Sequence, residues 1–160
     1  MQLAQPEPIT WHQHVVRVDA SHIDIMGHVN NLVYLKWLEE VDIEHMKAQG
    51  LGIELYRACN CGLVVRQRTL EYLAAAHPGD DLMVRTGSQL LDALRLRRLY
   101  EVITEPHETH EHKEDSTVSW RKPGQGHGLV VRGESLWVAV DMRTRKPRRM
   151  PPVLMEALRQ

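Results

Sequence analysis

The sequence predicts an α+β domain, one long helix against a mainly antiparallel sheet, on three observations. Apolar residues recur at helical spacing in a single long stretch, 31–49; about five runs read as strands; and the connections in the second half are of hairpin length. A chain of 160 residues, 42% hydrophobic and without a low-complexity block, fits one domain spanning 1–160.

Residues 1–10, with Pro6 and Pro8 among polar neighbours, have no periodic pattern and read as a loose lead-in. The first strand is expected over 11–19, where WHQHVVRVD is rich in β-branched residues, and the loop ASHIDIMGHVNN follows. From Asn31 to Gln49, Tyr34, Trp37, Leu38, Val41 and His45 fall on one side, with Lys36, Glu40, Glu44 and Lys47 opposite. Asn30 or Asn31 can cap this helix, and Gly50 can end it in the left-handed conformation. Leu32, Val33, Leu35 and Ile43 widen its apolar arc, which suits a helix wrapped by a sheet.

Strands are expected at 63–75, 82–91, 94–104 and 129–141, punctuated by HPGD at 77–80, a short turn at 92–94 and a polar loop at 105–127. Within that loop, 117–121 can extend a strand. No second helical pattern of comparable length precedes the tail, where two prolines lead into VLMEALRQ.

Composition removes several function classes. A formal net charge of −1 lacks the basic surface that nucleic-acid binding needs. No leader pattern opens the sequence and no apolar run reaches the roughly 20 residues that cross a bilayer, so a cytoplasmic location without membrane attachment is expected. Cys59 and Cys61, one residue apart, suit neither a disulfide nor a closed zinc site and read as reduced packing thiols.

The chemistry is expected in Asp24-Ile-Met-Gly27-His28-Val-Asn30-Asn31, immediately before the long helix. The first amides of a helix lack intrahelical partners and carry partial positive charge, so they can hold a developing oxyanion. Gly27 permits the tight path that aims them. The amide of Asn31 or its neighbour would polarise an acyl carbonyl while Asp24 attacks it directly or takes a proton from water. A thioester suits so sparse a site, because its thiolate leaving group has a conjugate acid of pKa about 8.5 and needs no strong general acid. The chain has no GxSxG elbow. Spacing alone equally allows Asp24 to be an ordinary turn or cap residue.

The stretch DIMGHVNNLVYLKWLEEVDIEHM resembles the D-x-x-G-H-V-N-N-x-x-Y-x-x-x-x-E pattern of the 4-hydroxybenzoyl-CoA thioesterase-like hotdog family. Tyr34 and the Glu39-Glu40 pair fall where that family has theirs. YLAAAHPGDDLMVRT resembles its second long strand and Pro-Gly-Asp turn, and GESLWVAVDMRTRKPRRMPPVLMEAL its last strand and terminal helix, so the likeness covers most of 14–158. The resemblance implies a hotdog fold, a long central helix wrapped by a five-stranded antiparallel sheet. It also implies two copies joined sheet to sheet, as a homodimer or a dimer of dimers.

By the same resemblance, the activity is hydrolysis of an acyl-CoA to free acid and CoA, with no metal or cofactor. Asp24 is the catalytic carboxylate, the Asn31 backbone amide the carbonyl donor, and Gly27, His28, Asn30 and Tyr34 line the substrate. Relatives tied to the Tol-Pal envelope system carry Tyr-His at Asn30-Asn31, many members have Asp at His22, and 105–127 is longer than usual. Two other functions keep the same pattern: a thioesterase acting on acyl carrier protein, and a non-catalytic module that binds acyl thioesters.

Other candidates have a plainer reading beside the functional one. His28 either contacts substrate or holds the Asp24 loop. Arg143, Arg145, Lys146, Arg148 and Arg149 cluster after the last strand; Arg145 and Lys146 either meet the CoA phosphates or face solvent. Glu40 is a reserve for the role of Asp24. His107, His110 and His112 have spacing that suits a solvated loop better than a metal site.

Overall fold

The computed structural model describes residues 9–104 and 128–159. Its elements in chain order are β1 (Trp11–Arg17), a single 3-10 turn (Ala20–His22), α1 (Asn31–Ala48), α2 (Ile53–Cys59), β2 (Cys61–Tyr72), β3 (Asp81–Leu90), β4 (Arg95–Thr104), β5 (Leu129–Asp141) and α3 (Pro152–Ala157). The expectations for 1–8 and 105–127, including a strand at 117–121 and the three histidines of that loop, lie outside the described residues.

The five strands form one sheet in the order β1-β3-β4-β5-β2, every pairing antiparallel. β1 and β2 therefore occupy opposite edges although no other strand separates them in sequence, and the chain must cross a whole face of the sheet between them. α1 makes that crossing, which is the hotdog arrangement expected.

Its start and stop follow from the residues foreseen. The Asn30 side chain accepts from the Leu32 amide at 2.9 Å, and Gly50, at φ +75°, takes the left-handed position after the last turn. The first strand ends earlier than the sequence suggested, because Asp19 caps the 3-10 turn through Ser21 N at 2.8 Å instead of continuing the ladder. The short α2 was not foreseen. It holds only seven residues between Gly52 and a left-handed Asn60, too few for a helical period to stand out.

The outer face of the sheet is a set of cross-strand ion pairs: Arg85 with Glu101, Arg132 with Glu71, Arg97 with Glu134, and Arg17 with Asp81. The inner face carries the core, in two apolar clusters. One gathers Tyr34, Trp37, Leu38 and Val41 of α1 with Val84, Val102 and Val131. The other gathers Leu51, Cys61, Leu96, Trp137 and Leu154.

A polar seam runs between the clusters. Asp42, on the buried side of α1 and 2% exposed, accepts from Thr86 Oγ1 at 3.0 Å, Arg98 Nη1 at 3.0 Å, Tyr100 Oη at 2.7 Å and Arg68 Nη2 at 3.5 Å. Arg98 is fully buried; its Nη1 also meets His45 Nδ1 at 3.3 Å, and its guanidinium lies 5.6 Å from the centre of the Trp137 ring. Burial pushes the Asp42 carboxyl up, while Arg98, Tyr100, Thr86 and Arg68 pull it down. With four donors, two of them guanidinium groups, around its two oxygens, the carboxylate form is the one this geometry serves.

Candidate active site

The loop before α1 is a closed hairpin. Ile23 and Val29 form an isolated bridge, Asp24 N donates to His28 O at 3.1 Å, and Gly27 N donates to Asp24 O at 3.0 Å. Gly27 has φ +80°, a conformation that L side chains rarely adopt and that lets the chain fold back on Asp24. The Met26 amide donates to Asp24 Oδ1 at 2.8 Å, so one carboxylate oxygen is engaged within the loop; the other has no hydrogen-bond partner among the described residues. Asp24 is half-buried, and Ile25 and Met26 at the tip are exposed.

The hairpin hands directly to the helix, and the first amides can be accounted for one by one. Asn30 N donates to His22 O at 2.9 Å, Leu32 N to the Asn30 side chain at 2.9 Å, and Val33 N to Asn30 O at 2.9 Å. The Asn31 amide, at the first helical position, donates to nothing among the described residues. An unpaired N–H at the positive end of an 18-residue helix can donate to a carbonyl oxygen or an oxyanion.

Asn31 lines a cavity of about 270 Å³. His28 and Tyr34 stand beside it, and the end of β2 with the residues after it, 72–75, forms the opposite wall. Tyr34 is nearly buried, its ring edge-on to Trp37 at 5.5 Å and tilted against Tyr72 at 5.9 Å. Burial, reinforced by the Asp80 charge, pushes its phenol far up, so Tyr34 presents a neutral hydroxyl.

The structure therefore brings His28, Asn31 and Tyr34 together on one cavity wall. Asp24 sits at the neck of the adjoining hairpin, off that wall. Asn30 spends its side-chain oxygen as the helix cap. Glu40 pairs along the helix with Lys36 at 3.8 Å.

Arg145 and Lys146 lie elsewhere. Asp141, which pairs with Cys61, organises their turn by accepting from Arg143 N at 2.9 Å and Thr144 N at 2.8 Å, and Arg145 takes φ 58° to close it. The cavity is at the Tyr72 end of the same strand, the full length of β2 away, about 36 Å at roughly 3.3 Å per residue. Within one chain these two cations stay far from the cavity. Arg148 of the same basic cluster is structural, donating to the carbonyls of Cys59 at 3.2 Å and Asn60 at 3.0 Å. Cys59 and Cys61 are free thiols.

Sequence reasoning missed two parts. The 72–75 wall lies inside a stretch already matched to the family, but strand alternation alone does not say which strand end faces a helix start. The seam had a signal: Thr86, Arg98, Tyr100 and Ser135 are polar groups at inward positions of their strands, opposite Asp42 on the apolar side of a helix. Among the described residues no helix is long and apolar enough to cross a membrane, and no group of three or more His, Cys, Asp or Glu is placed to hold a metal ion.

Comparison with known proteins bears on this geometry. Residues 18–158 match the profile of the Thioesterase-like superfamily. A Synechocystis sp. protein named "Putative esterase sll0410" is 28% identical over 149 residues, covering 92% of this chain and 78% of its own. Slr0204, a 1,4-dihydroxy-2-naphthoyl-CoA thioesterase from Synechocystis, superposes with a TM-score of 0.72 at 17% identity, covering 94% of this chain and 97% of that one. SAV2348 from Staphylococcus aureus, solved in complex with CoA, superposes with a TM-score of 0.73 at 16% identity, covering 99% of this chain and 86% of that one.

Proposed function

Because this chain belongs to the thioesterase-like superfamily, we propose that it hydrolyses an acyl-CoA to the free acid and CoA at the cavity beside the start of α1. The observation that carries the reading is the unpaired Asn31 amide on the cavity wall, one hairpin away from the Asp24 carboxylate.

The substrate carbonyl oxygen takes the Asn31 N–H, which withdraws electron density from the carbonyl carbon. Asp24 Oδ1 is fixed by Met26 N, leaving Oδ2 to act. As general base it takes a proton from water while the water oxygen bonds to the carbonyl carbon; as nucleophile it bonds to that carbon itself, and water then cleaves the resulting anhydride. Either way the carbon–sulfur bond breaks with its electron pair on sulfur, and the thiolate leaves as CoA. His28 and Tyr34 flank the acyl group.

The partner in this reading is a second copy joined along β2. β2 is an edge strand of twelve residues with Val64, Val65 and Tyr72 between 42% and 46% exposed, and an apolar edge of that length invites strand pairing. Antiparallel pairing of two β2 strands sets the Cys61 end of one beside the Tyr72 end of the other. The partner subunit's Arg145 and the partner's Lys146 then come to the cavity mouth, where CoA phosphates would emerge. We place the enzyme in the cytoplasm on the same reading.

Changing Asp24 to Asn preserves shape and hydrogen-bonding reach while removing the charge. Thioester hydrolysis should fall by about 10²-fold or more with an unchanged melting temperature. An equally active variant would move the role to Glu40 or leave a binding module.

A further inference from the structure

We infer that the acyl site admits only compact acyl groups, a single ring or a short chain, and that Tyr34, Trp37 and Tyr72 set this limit. The inference rests on the proposed thioester site and concerns how far that site extends.

The size argument comes first. A cavity of about 270 Å³ is small for a ligand site. Ligand pockets for larger molecules run from about 300 to 1,000 Å³.

What lies behind the cavity matters more, because a long chain would need a way onward between α1 and the sheet. Tyr34 and Trp37, each 3% exposed, meet edge to face directly behind it, and Leu38 and Val41 beyond them are completely buried in close packing. An alkyl chain forced past them would reach Asp42, about 12 Å further along the helix from Tyr34 at 1.5 Å per residue. There it would meet the carboxylate, the Arg68 and Arg98 guanidinium groups and the Tyr100 hydroxyl, which are already bonded to one another through Asp42. Laying methylenes among them would break those pairs with nothing to replace them. The seam thus closes the interior to acyl chains from this end. Tyr72, 43% exposed and tilted against Tyr34, forms part of the opposite wall.

Two measurements test the limit. In a thiol-release assay across acetyl-, hexanoyl-, benzoyl-, dodecanoyl- and palmitoyl-CoA, kcat/KM should peak among the compact esters and fall at least about tenfold by palmitoyl. Tyr72→Ala, at an exposed position, should narrow that ratio by raising the longer esters. Equilibrium binding of S-hexyl- and S-dodecyl-CoA thioethers, which cannot be hydrolysed, reads the limit without turnover. Each methylene taken into an apolar tunnel would tighten binding roughly fourfold, so equal affinities support the inference. Dodecyl binding tighter by about tenfold or more, or palmitoyl-CoA among the best substrates, overturns it. Absence of hydrolysis for every ester would instead defeat the thioesterase reading, with the thioether series still deciding the size of the site.

Discussion

Replacing Asp42 by Asn removes one negative charge from the middle of the protein and changes almost nothing in volume. In the native seam this carboxylate, 2% exposed, is the counter-charge of the fully buried Arg98 and shares Arg68, which also reaches Glu39 at 2.8 Å. After the substitution, Arg68 keeps Glu39, but Arg98 keeps no carboxylate and stands against Trp137 and a neutral His45. Removing one partner of a buried ion pair costs about 3–5 kcal/mol. Against a total stability of about 5–15 kcal/mol for a single domain, that is a large share. Urea unfolding of both proteins, followed by tryptophan fluorescence, should show the midpoint fall with little change in slope. A loss below about 1 kcal/mol would refute the reasoning, because it would mean that Asp42 is protonated in the native protein and that Arg98 never depended on its charge. Replacing both residues by apolar ones, Asp42→Leu with Arg98→Met, should recover much of the loss, since the cost comes from an uncompensated charge and not from missing contacts.

Four further outcomes follow from the structure. Asn31→Pro removes the proposed oxyanion donor together with the Asn31 carboxamide, which Asn31→Ala removes alone; proline is well tolerated at the first helical position and Asn30 before it is already extended at ψ 137°, so turnover of the proline variant should drop about 10²–10³-fold below that of the alanine one with the melting temperature unchanged, and an active proline variant would exclude this amide. His45 is pushed down to about 4, first by burial, then by Arg98 and His12. The unfolded chain, with an ordinary histidine pKa near 6.5, therefore binds the proton first; stability should hold above that pH and decline towards pH 4 by up to about 3 kcal/mol, and His45→Gln should flatten the decline in urea titrations. Neutralising Arg145 and Lys146 together should raise KM several-fold with kcat nearly constant, whereas an unchanged KM rejects their contact with CoA. Glu40→Gln breaks only the exposed pair with Lys36 and should leave kcat within about twofold of the parent; a large loss would promote it over Asp24.

The helix, its asparagine cap, its glycine stop and the five strands were legible because each depends on local periodicity or on a residue with one conformational use. The last strand was placed at its observed bounds, Leu129–Asp141, and the others to within a few residues. α2 escaped because seven residues between two turns carry too little pattern. Asp24 and Asn31 stand out as catalytic candidates only through the family pattern, since an Asp before a helix most often caps or turns, and Asp24 does make such a turn bond with Met26. The separation of Arg145 and Lys146 from the cavity could not be read at all, because it depends on which end of β2 faces the helix start, a matter of sheet register. His45 falls on the apolar side of the helix, and it is buried there; Asp42 has no such signal because its partners are scattered over β2, β3 and β4, and only the assembled sheet brings them together.

Asp42 and Asn31 ride on the same rigid rod. A slide of one turn along its axis, or a rotation about it, would tear the carboxylate from four fixed donors on three different strands at once, so the rod has a single permitted setting. Residues remote from the proposed site thereby aim the Asn31 N–H, and random mutagenesis should turn up losses of the proposed activity clustered around positions 68, 98 and 100 as well as at the mouth of the cavity.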